Sequence, residues 1–274
     1  MKVLNEVQML DLLRLQDCCE SFEEIELKLN WETLKTRNEE DVLDFYHYEE
    51  DQLVGFLGVY HFGEEYEVCG MVHPDYRGRG IFSMLFKEAL KTIPEGYPLL
   101  INAPHTSQSA QKWIETCKCD YSFSEYQMKW IPQILSPEPS KVMLRKAIVV
   151  DAEFLMHVDA ECFGFQHPDM DTFSQSTFES ADSYTYIIEE NQESIGKIQV
   201  IRMNDYSYIY GFAILPEYQG QGFGRSALLQ TIQVETEIGN EIFIEVALQN
   251  RNALHLYEQC GFVSYQIQDY YEYR

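Results

Sequence analysis

A mixed α+β fold, built twice over, is what this chain predicts. Three observations carry the prediction: a glycine-rich turn that recurs in both halves, strand and helix patterns in matching order around it, and a proline-rich segment between the copies. The turn lies in VHPDYRGRGIFSMLF from Val72 and in ILPEYQGQGFGRSAL from Ile214, 142 residues apart. Further on, PLLINAPHTSQSAQKWIETC and EIFIEVALQNRNALHLYEQC align at a separation of 143, so one residue has been gained between the motifs. Self-similarity at a fixed separation marks a duplication. Between the copies, IPQILSPEPSK carries three prolines, which cannot donate backbone hydrogen bonds and favour extended chain. The expected domains are therefore 1–135 and 142–274, each large enough for its own core.

The second half gives the clearer element pattern. VMLRKAIVV alternates as a strand, and DAEFLMHVDAECF follows with helical spacing and Asp151 as its N-cap. Tyr184 to Glu189 and Ser194 to Arg202 are β-rich runs separated by an N-Q-E turn, and Ser207 to Leu215 is a third, together an antiparallel meander. After the glycine turn come a helix over Arg225 to Thr236, a buried strand over Ile242 to Ala247, a helix over Arg251 to Cys260, and strand material from Phe262 to Tyr273. Each copy is thus expected to be a mixed, largely antiparallel central sheet flanked by helices.

Composition narrows the function. The 274 residues carry 45 Asp and Glu against 20 Lys and Arg, a formal net charge of -25. Such a surface repels a phosphate backbone, so nucleic acid is not an expected partner, while a cationic substrate such as an amine is attracted. Seven cysteines without C-x-x-C spacing suggest neither a disulfide framework nor a zinc site, and a reducing cytoplasm fits them. The histidines show no H-x-x-x-H or H-E-x-x-H spacing, so no metal is expected. Neither an export signal nor a membrane-spanning run is expected, and oligomeric state is open.

In QGQGFG, Gln219 to Gly224, three glycines alternate between a strand and a helix. Lacking a Cβ, they let the chain bend tightly and present successive N–H groups at a helix N-terminus, which suits an anion such as a pyrophosphate. No Lys follows as in a Walker A loop, and the spacing misses G-x-G-x-x-G. Gln219-x-x-Gly222-x-Gly224 resembles the Q/R-x-x-G-x-G/A signature of the GCN5-related N-acetyltransferases, and NRNALHLYEQCGF, Asn250 to Phe262, resembles their N-x-x-A-x-x-L-Y-x-x-x-G-F hallmark. The resemblance spans the second half, with the first half a more divergent copy.

The resemblance implies acetyl-CoA as cosubstrate, with Gly220, Gln221, Gly222, Phe223, Gly224 and Arg225 cradling its pyrophosphate beside Gln219. Pantetheine is expected to insert between the strand end Ala213, Ile214 and Leu215 and the strand after Ile242, in the manner of strand addition. Asn250 resembles the residue near the pantetheine arm, and also suits a helix N-cap. Tyr257 resembles the family's general acid beside the sulfur. Glu245 resembles the base of ribosomal-protein N-terminal acetyltransferases, taking the amine proton directly or through water. Other branches place the base where Tyr208 stands here, so a water chain reaching Tyr206, Tyr208 or Tyr210 is the alternative. A main-chain N–H near Ile214 is expected to polarise the thioester carbonyl. The expected reaction is direct transfer to a small-molecule or peptide primary amine in the C-terminal half, without an acyl-enzyme on Cys260.

The same spacing in the first half gives Arg77-x-x-Gly80-x-Phe82, with Ile114 in place of Tyr257, Asn102 in place of Glu245, and Lys118 and Cys119 in place of the G-F pair. That half is expected to be a silent copy; a working one would draw its base from Glu64, Glu65 and Glu67. The run from Phe163 to Phe178 is expected to be packing or a substrate loop. A protein that holds acyl-CoA and regulates without turnover is the rival function.

Overall fold

The computed structural model describes residues 4–36, 43–62, 65–134, 139–165, 170–178, 182–203 and 205–274. Glu64, the centre of the proline-rich segment and the QHPD stretch within the Phe163 to Phe178 run lie outside the described residues. The chain forms two compact units, residues 1–126 with 266–274, and residues 127–265.

In the first unit, α1 (Glu6–Glu23) starts at Asn5, whose side chain accepts the Gln8 N–H while Gln8 reaches back to the Asn5 N–H, satisfying two orphan donors. α2 (Trp31–Thr36) follows, then β1 (Leu43–Glu49), β2 (Gln52–Phe62), β3 (Glu65–Val72), α3 (Ile81–Ala89), β4 (Leu99–Pro104), α4 (Gln108–Ile114) and β5 (Cys119–Trp130). β2 is apolar on both sides because both of its faces are covered. Phe56 and Tyr60 pack with Leu12 and Leu15 of α1, while Leu57 and Val59 pack with Leu85 and Phe86 of α3.

The final strand, β11 (Phe262–Tyr273), runs antiparallel to β4 from Gln268 opposite Pro104 to Glu272 opposite Leu100, and Arg274 N–H donates to Lys118 O at 2.8 Å. The strand order in this unit is β1-β2-β3-β4-β11-β5. This partition differs from the 1–135 and 142–274 division drawn from the repeats. Residues 266–274 fill the open edge of β4, and Tyr271 and Tyr273 join the core beneath α3. An unfilled edge would leave a row of unpaired backbone groups.

The second unit contains β6 (Met143–Lys146), α5 (Ala152–Phe163), α6 (Met170–Phe178), β7 (Ser183–Glu190), β8 (Glu193–Arg202), β9 (Tyr206–Ile214), α7 (Phe223–Ile238), β10 (Glu241–Ala247) and α8 (Arg251–Gln259). β6, β7, β8 and β9 form an antiparallel meander, and β10 lies parallel to β9. The β7–β8 turn places Asn191 and Gln192 at φ 49° and 70°, the left-handed pair that a two-residue hairpin needs. Asp151 does not cap α5 with its side chain. Its carboxylate instead accepts the Ile148 N–H at 2.8 Å and both terminal nitrogens of Arg145 at 2.7 and 2.8 Å, because that cation on β6 lies within reach. The second part of the Phe163 to Phe178 run is helix α6, with Phe173 buried against Leu155 and Ile187.

One buried ion pair ties α5 to β8: Lys197 and Asp159, their side chains 4% and 6% exposed. Neither charge has water to fall back on, so removing one partner costs far more than the pair contributes net. Asp159→Ala is expected to destabilise the protein by about 3–5 kcal/mol in urea unfolding. A loss below about 1 kcal/mol, the range of exposed pairs, would show that the pair is not sealed from solvent.

Candidate active site

The site begins where two parallel strands stop pairing. β9 and β10 pair from Tyr206 opposite Glu241 to Ile209 opposite Ile244, and no further, although β9 continues to Ile214 and β10 to Ala247. The other edge of β9 carries a register shift. There Gln199 opposes Tyr210 while Lys197 opposes Ala213, so two steps on β8 face three on β9. The extra residue is a bulge at Gly211, whose φ of 51° belongs to the left-handed region. A bulge bends its strand and adds twist, and this one falls just past Ile209, where the pairing to β10 ends.

The bulge also reverses which residues face which side. Ser207 donates to Glu235 of α7 at 2.7 Å, so Tyr206, Tyr208 and Tyr210 point to the opposite, α5 face. Beyond Gly211 the parity flips. Phe212 and Ile214 lie against Gly224 of α7, while Ala213 and Leu215 pack on Val158 of α5. Leu215 N–H donates to Ile195 O at 2.9 Å, so by the alternation of strand amides the Ile214 N–H points away from β8 into the opening.

The glycine turn follows at once. Gly220 and Gly222 have φ of 74° and 85°, and Gly222 is the N-cap of α7. A Cβ on Gly220 would meet nothing within 4 Å, and one on Gly224 would meet only ordinary contacts at 3.6–3.7 Å. Among the described residues the N–H groups of Gly220 to Gly224 donate to no backbone carbonyl. They lead into the first turn of a 16-residue helix and fit an anionic group. Gln219 does different work from the rest of the predicted set. Its Nε2 donates to Ile214 O at 2.8 Å and its N–H to Pro216 O at 3.2 Å, so it braces the turn against the strand end.

Tyr257 on α8 is 6% exposed, and its ring stacks on Phe212, centroids 6.4 Å apart. Burial, with a smaller contribution from Cys260, pushes its phenol well above the ordinary tyrosine range, so the proton stays on the oxygen at neutral pH. The hydroxyl makes no hydrogen bond to a described residue. Glu245 stands one residue past the last paired position of β10, half-buried, and strand alternation puts it with Phe243 on the face of Tyr206 and Tyr208. The two groups therefore approach from opposite faces of the sheet, and the parting of the strands connects the faces. Asn250 is the N-cap of α8, its Oδ1 accepting Ala253 N–H at 3.1 Å.

Two comparisons bear directly on this geometry. Residues 152–262 match the Acetyltransferase (GNAT) family and residues 41–117 match an Acetyltransferase (GNAT) domain. The chain belongs to the GNAT acetyltransferases. It is a tandem member, with two family domains in one polypeptide. It is 37% identical over 86 residues to a spermidine N(1)-acetyltransferase of Vibrio cholerae; the match covers 28% of this chain and about half, 48%, of that relative. The fold resembles a GCN5-related N-acetyltransferase from Sphaerobacter thermophilus, with TM-score 0.77, 16% identity and coverage of 96% and 91% of the two chains. It also resembles a tandem GNAT protein from the clavulanic acid biosynthesis pathway, with TM-score 0.69, 13% identity and coverage of 99% and 96%.

Comparing the two GNAT copies explains how they differ. In the first, β3 and β4 also stop pairing early, at Val68 opposite Ile101, and Gly78 and Gly80 repeat the left-handed turn at φ 76° and 79°. Arg77 braces the strand end as Gln219 does, its Nε donating to Val72 O at 3.0 Å. Beyond that, the copies diverge. Glu23 accepts from Arg77 at 2.6 Å with one oxygen and from the Ser107 hydroxyl at 2.6 Å with the other, clipping the α3 turn to the start of α4. Although burial works against it, hydrogen bonds from Ser107 and Ser109 and the Arg77 charge hold the Glu23 carboxyl below its usual range. Phe82 occupies the place of Gly224 and packs edge-on to Trp113 at 4.6 Å.

One equivalence between the copies departs from the motif spacing. Glu67 and Tyr208 each stand one residue before the last paired position of their strand, as Asn102 and Glu245 each stand one residue after theirs. The bulge residue in β9 hides this match from the motif spacing: Val68 and Ile209, before the bulge, are 141 residues apart, and Val72 and Ile214, after it, are 142 apart. Glu67 is buried and accepts from Asn30 and Asn102, both at 3.1 Å.

Gly211→Ala is expected to cost about 1–2 kcal/mol, the usual penalty of a left-handed Cβ. The side chain would also press on the Gln199 amide, 2.2 Å from the ideal Cβ position. Thermal and urea melts check this, and an unchanged midpoint would mean that the bulge can relax into regular pairing.

Proposed function

We propose that the second unit transfers an acetyl group from acetyl-CoA to a primary amine by direct attack, and that the first unit is a silent copy. The observation that carries this reading is that only the second copy combines parted strands, a glycine turn without a carboxylate bridge to the following helix and a buried phenol without a hydrogen bond to a described residue. Bound acetyl-CoA supplies the thioester that serves as acyl donor. The N–H groups of Gly220 to Arg225 would hold its diphosphate, and the edge of β9 at Ile214 its pantetheine arm.

Three groups of the chain then divide the work. Glu245, directly or through water, takes a proton from the amine so that its nitrogen lone pair is available. The Ile214 N–H polarises the carbonyl oxygen. Tyr257 gives its proton to the departing sulfur. Burial keeps that phenol protonated at neutral pH, so the proton is in place when the sulfur departs. Cys260 is 1% exposed, which supports direct transfer over a route through an acylated cysteine.

A cationic amine is the acceptor class that the formal charge of -25 favours. The partial similarity to a spermidine N(1)-acetyltransferase supports a polyamine. All seven cysteines are free thiols, which suits the cytoplasm. Among the described residues no helix is long and apolar enough to cross a membrane.

Tyr257→Phe is expected to slow thiol release by about 100-fold or more, the scale of general acid catalysis, with CoA binding kept. Unchanged turnover over an amine panel would remove Tyr257 from this role. Gly222→Trp is expected to abolish the thermal stabilisation that CoA confers on the parent protein; a retained shift would place the diphosphate elsewhere.

A further inference from the structure

We propose that Lys141, from the segment joining the two halves, is a contact for the diphosphate of the coenzyme. The inference rests on the acetyl-CoA reading of the second unit and adds a residue outside both family motifs. Lys141 Nζ donates to Gln221 O at 2.9 Å, inside the glycine turn, and lies 3.1 Å from where a Cβ on Gly222 would be. An ammonium has three protons, so this contact leaves two for an anion.

The lysine is held there by the chain around it. Its own N–H donates to Ser226 Oγ at 3.0 Å, and Ser140 Oγ lies 3.1 Å from the same hydroxyl. Gln230 Nε2 donates to Ser140 Oγ at 2.9 Å and to Val142 O at 3.2 Å. The segment is thus stitched along the first two turns of α7, and the cost of ordering its backbone is met by the fold rather than by the ligand.

The electrostatics of the free protein run against this placement. Cations favour the C-terminal end of a helix, and the N-terminal end already carries partial positive charge. A lysine leaning on the α7 N-terminus opposes that field, and an anion seated between the two reverses the sign of both interactions. A coenzyme bearing several negative charges must also approach a chain of formal charge -25, so a fixed cation at the landing point has a specific use. Among the described residues the first copy shows no equivalent stitch to its glycine-turn helix. Met84 and Glu88 stand where Ser226 and Gln230 stand in the second.

Isothermal titration of the full-length protein with CoA and with dephospho-CoA, which lacks the 3′-phosphate, tests the assignment. Lys141→Met is expected to raise the Kd for both ligands about tenfold, the scale of one charge-assisted hydrogen bond, and Lys141→Arg to recover most of the loss. Ser226→Ala, which cuts the stitch but keeps the ammonium, is expected to fall between them. A Lys141→Met Kd within twofold of the parent overturns the proposal. So does a loss seen with CoA but not with dephospho-CoA, which would assign Lys141 to the 3′-phosphate. If the parent protein binds neither ligand, the acetyl-CoA reading itself fails.

Discussion

The one constraint on which the second unit depends is the early end of pairing between β9 and β10, at Ile209 opposite Ile244. β9 stays paired to β8 through a bulge at Gly211, held at a left-handed φ of 51°, while its far edge is released. The Ile214 N–H is aimed into the opening, and Phe212 is turned towards Tyr257. Backbone groups in a sheet are normally spent on one another. A strand with one edge released is therefore able to bind something that behaves like a strand.

The duplicated halves separate what the backbone conserves from what side chains decide. Both copies part their parallel strands at the same step, and both turn through two left-handed glycines into a helix. In both, the first residue of the signature donates to the strand-end carbonyl, Arg77 to Val72 and Gln219 to Ile214. A thiol contact repeats as well, with Cys19 donating to Val72 O and Cys162 to Ile214 O. Against this shared frame, the carboxylate of Glu23 bridges Arg77 and Ser107 and closes the first copy with charge-assisted hydrogen bonds. Ile114 in place of Tyr257 leaves no phenol there. Duplication supplied two frames, and few side chains distinguish them.

Much of this was legible beforehand. The meander of β7, β8 and β9, the helix after the glycine turn and the Asn250 N-cap follow from alternation, helical spacing and capping chemistry, which act over a few residues. Asp151 shows where such local rules give way. Its sequence context suits an N-cap, but Arg145 on the neighbouring strand and the Ile148 N–H claim the carboxylate. Gln219 likewise belongs to the binding signature, yet its amide is committed to Ile214.

By itself, the sequence determined the duplication, the order of strands and helices, and the location of the glycine turn and Tyr257, since each is written in residue types at fixed spacing. The tertiary structure decided which sheet edge the last strand fills, that Glu67 rather than Tyr66 matches Tyr208, that Glu23 clips the first copy, and that Lys141 reaches the α7 turn. Each of these joins residues far apart along the chain or depends on a change of register. Periodicity along a sequence carries no information about which distant groups will be brought into contact.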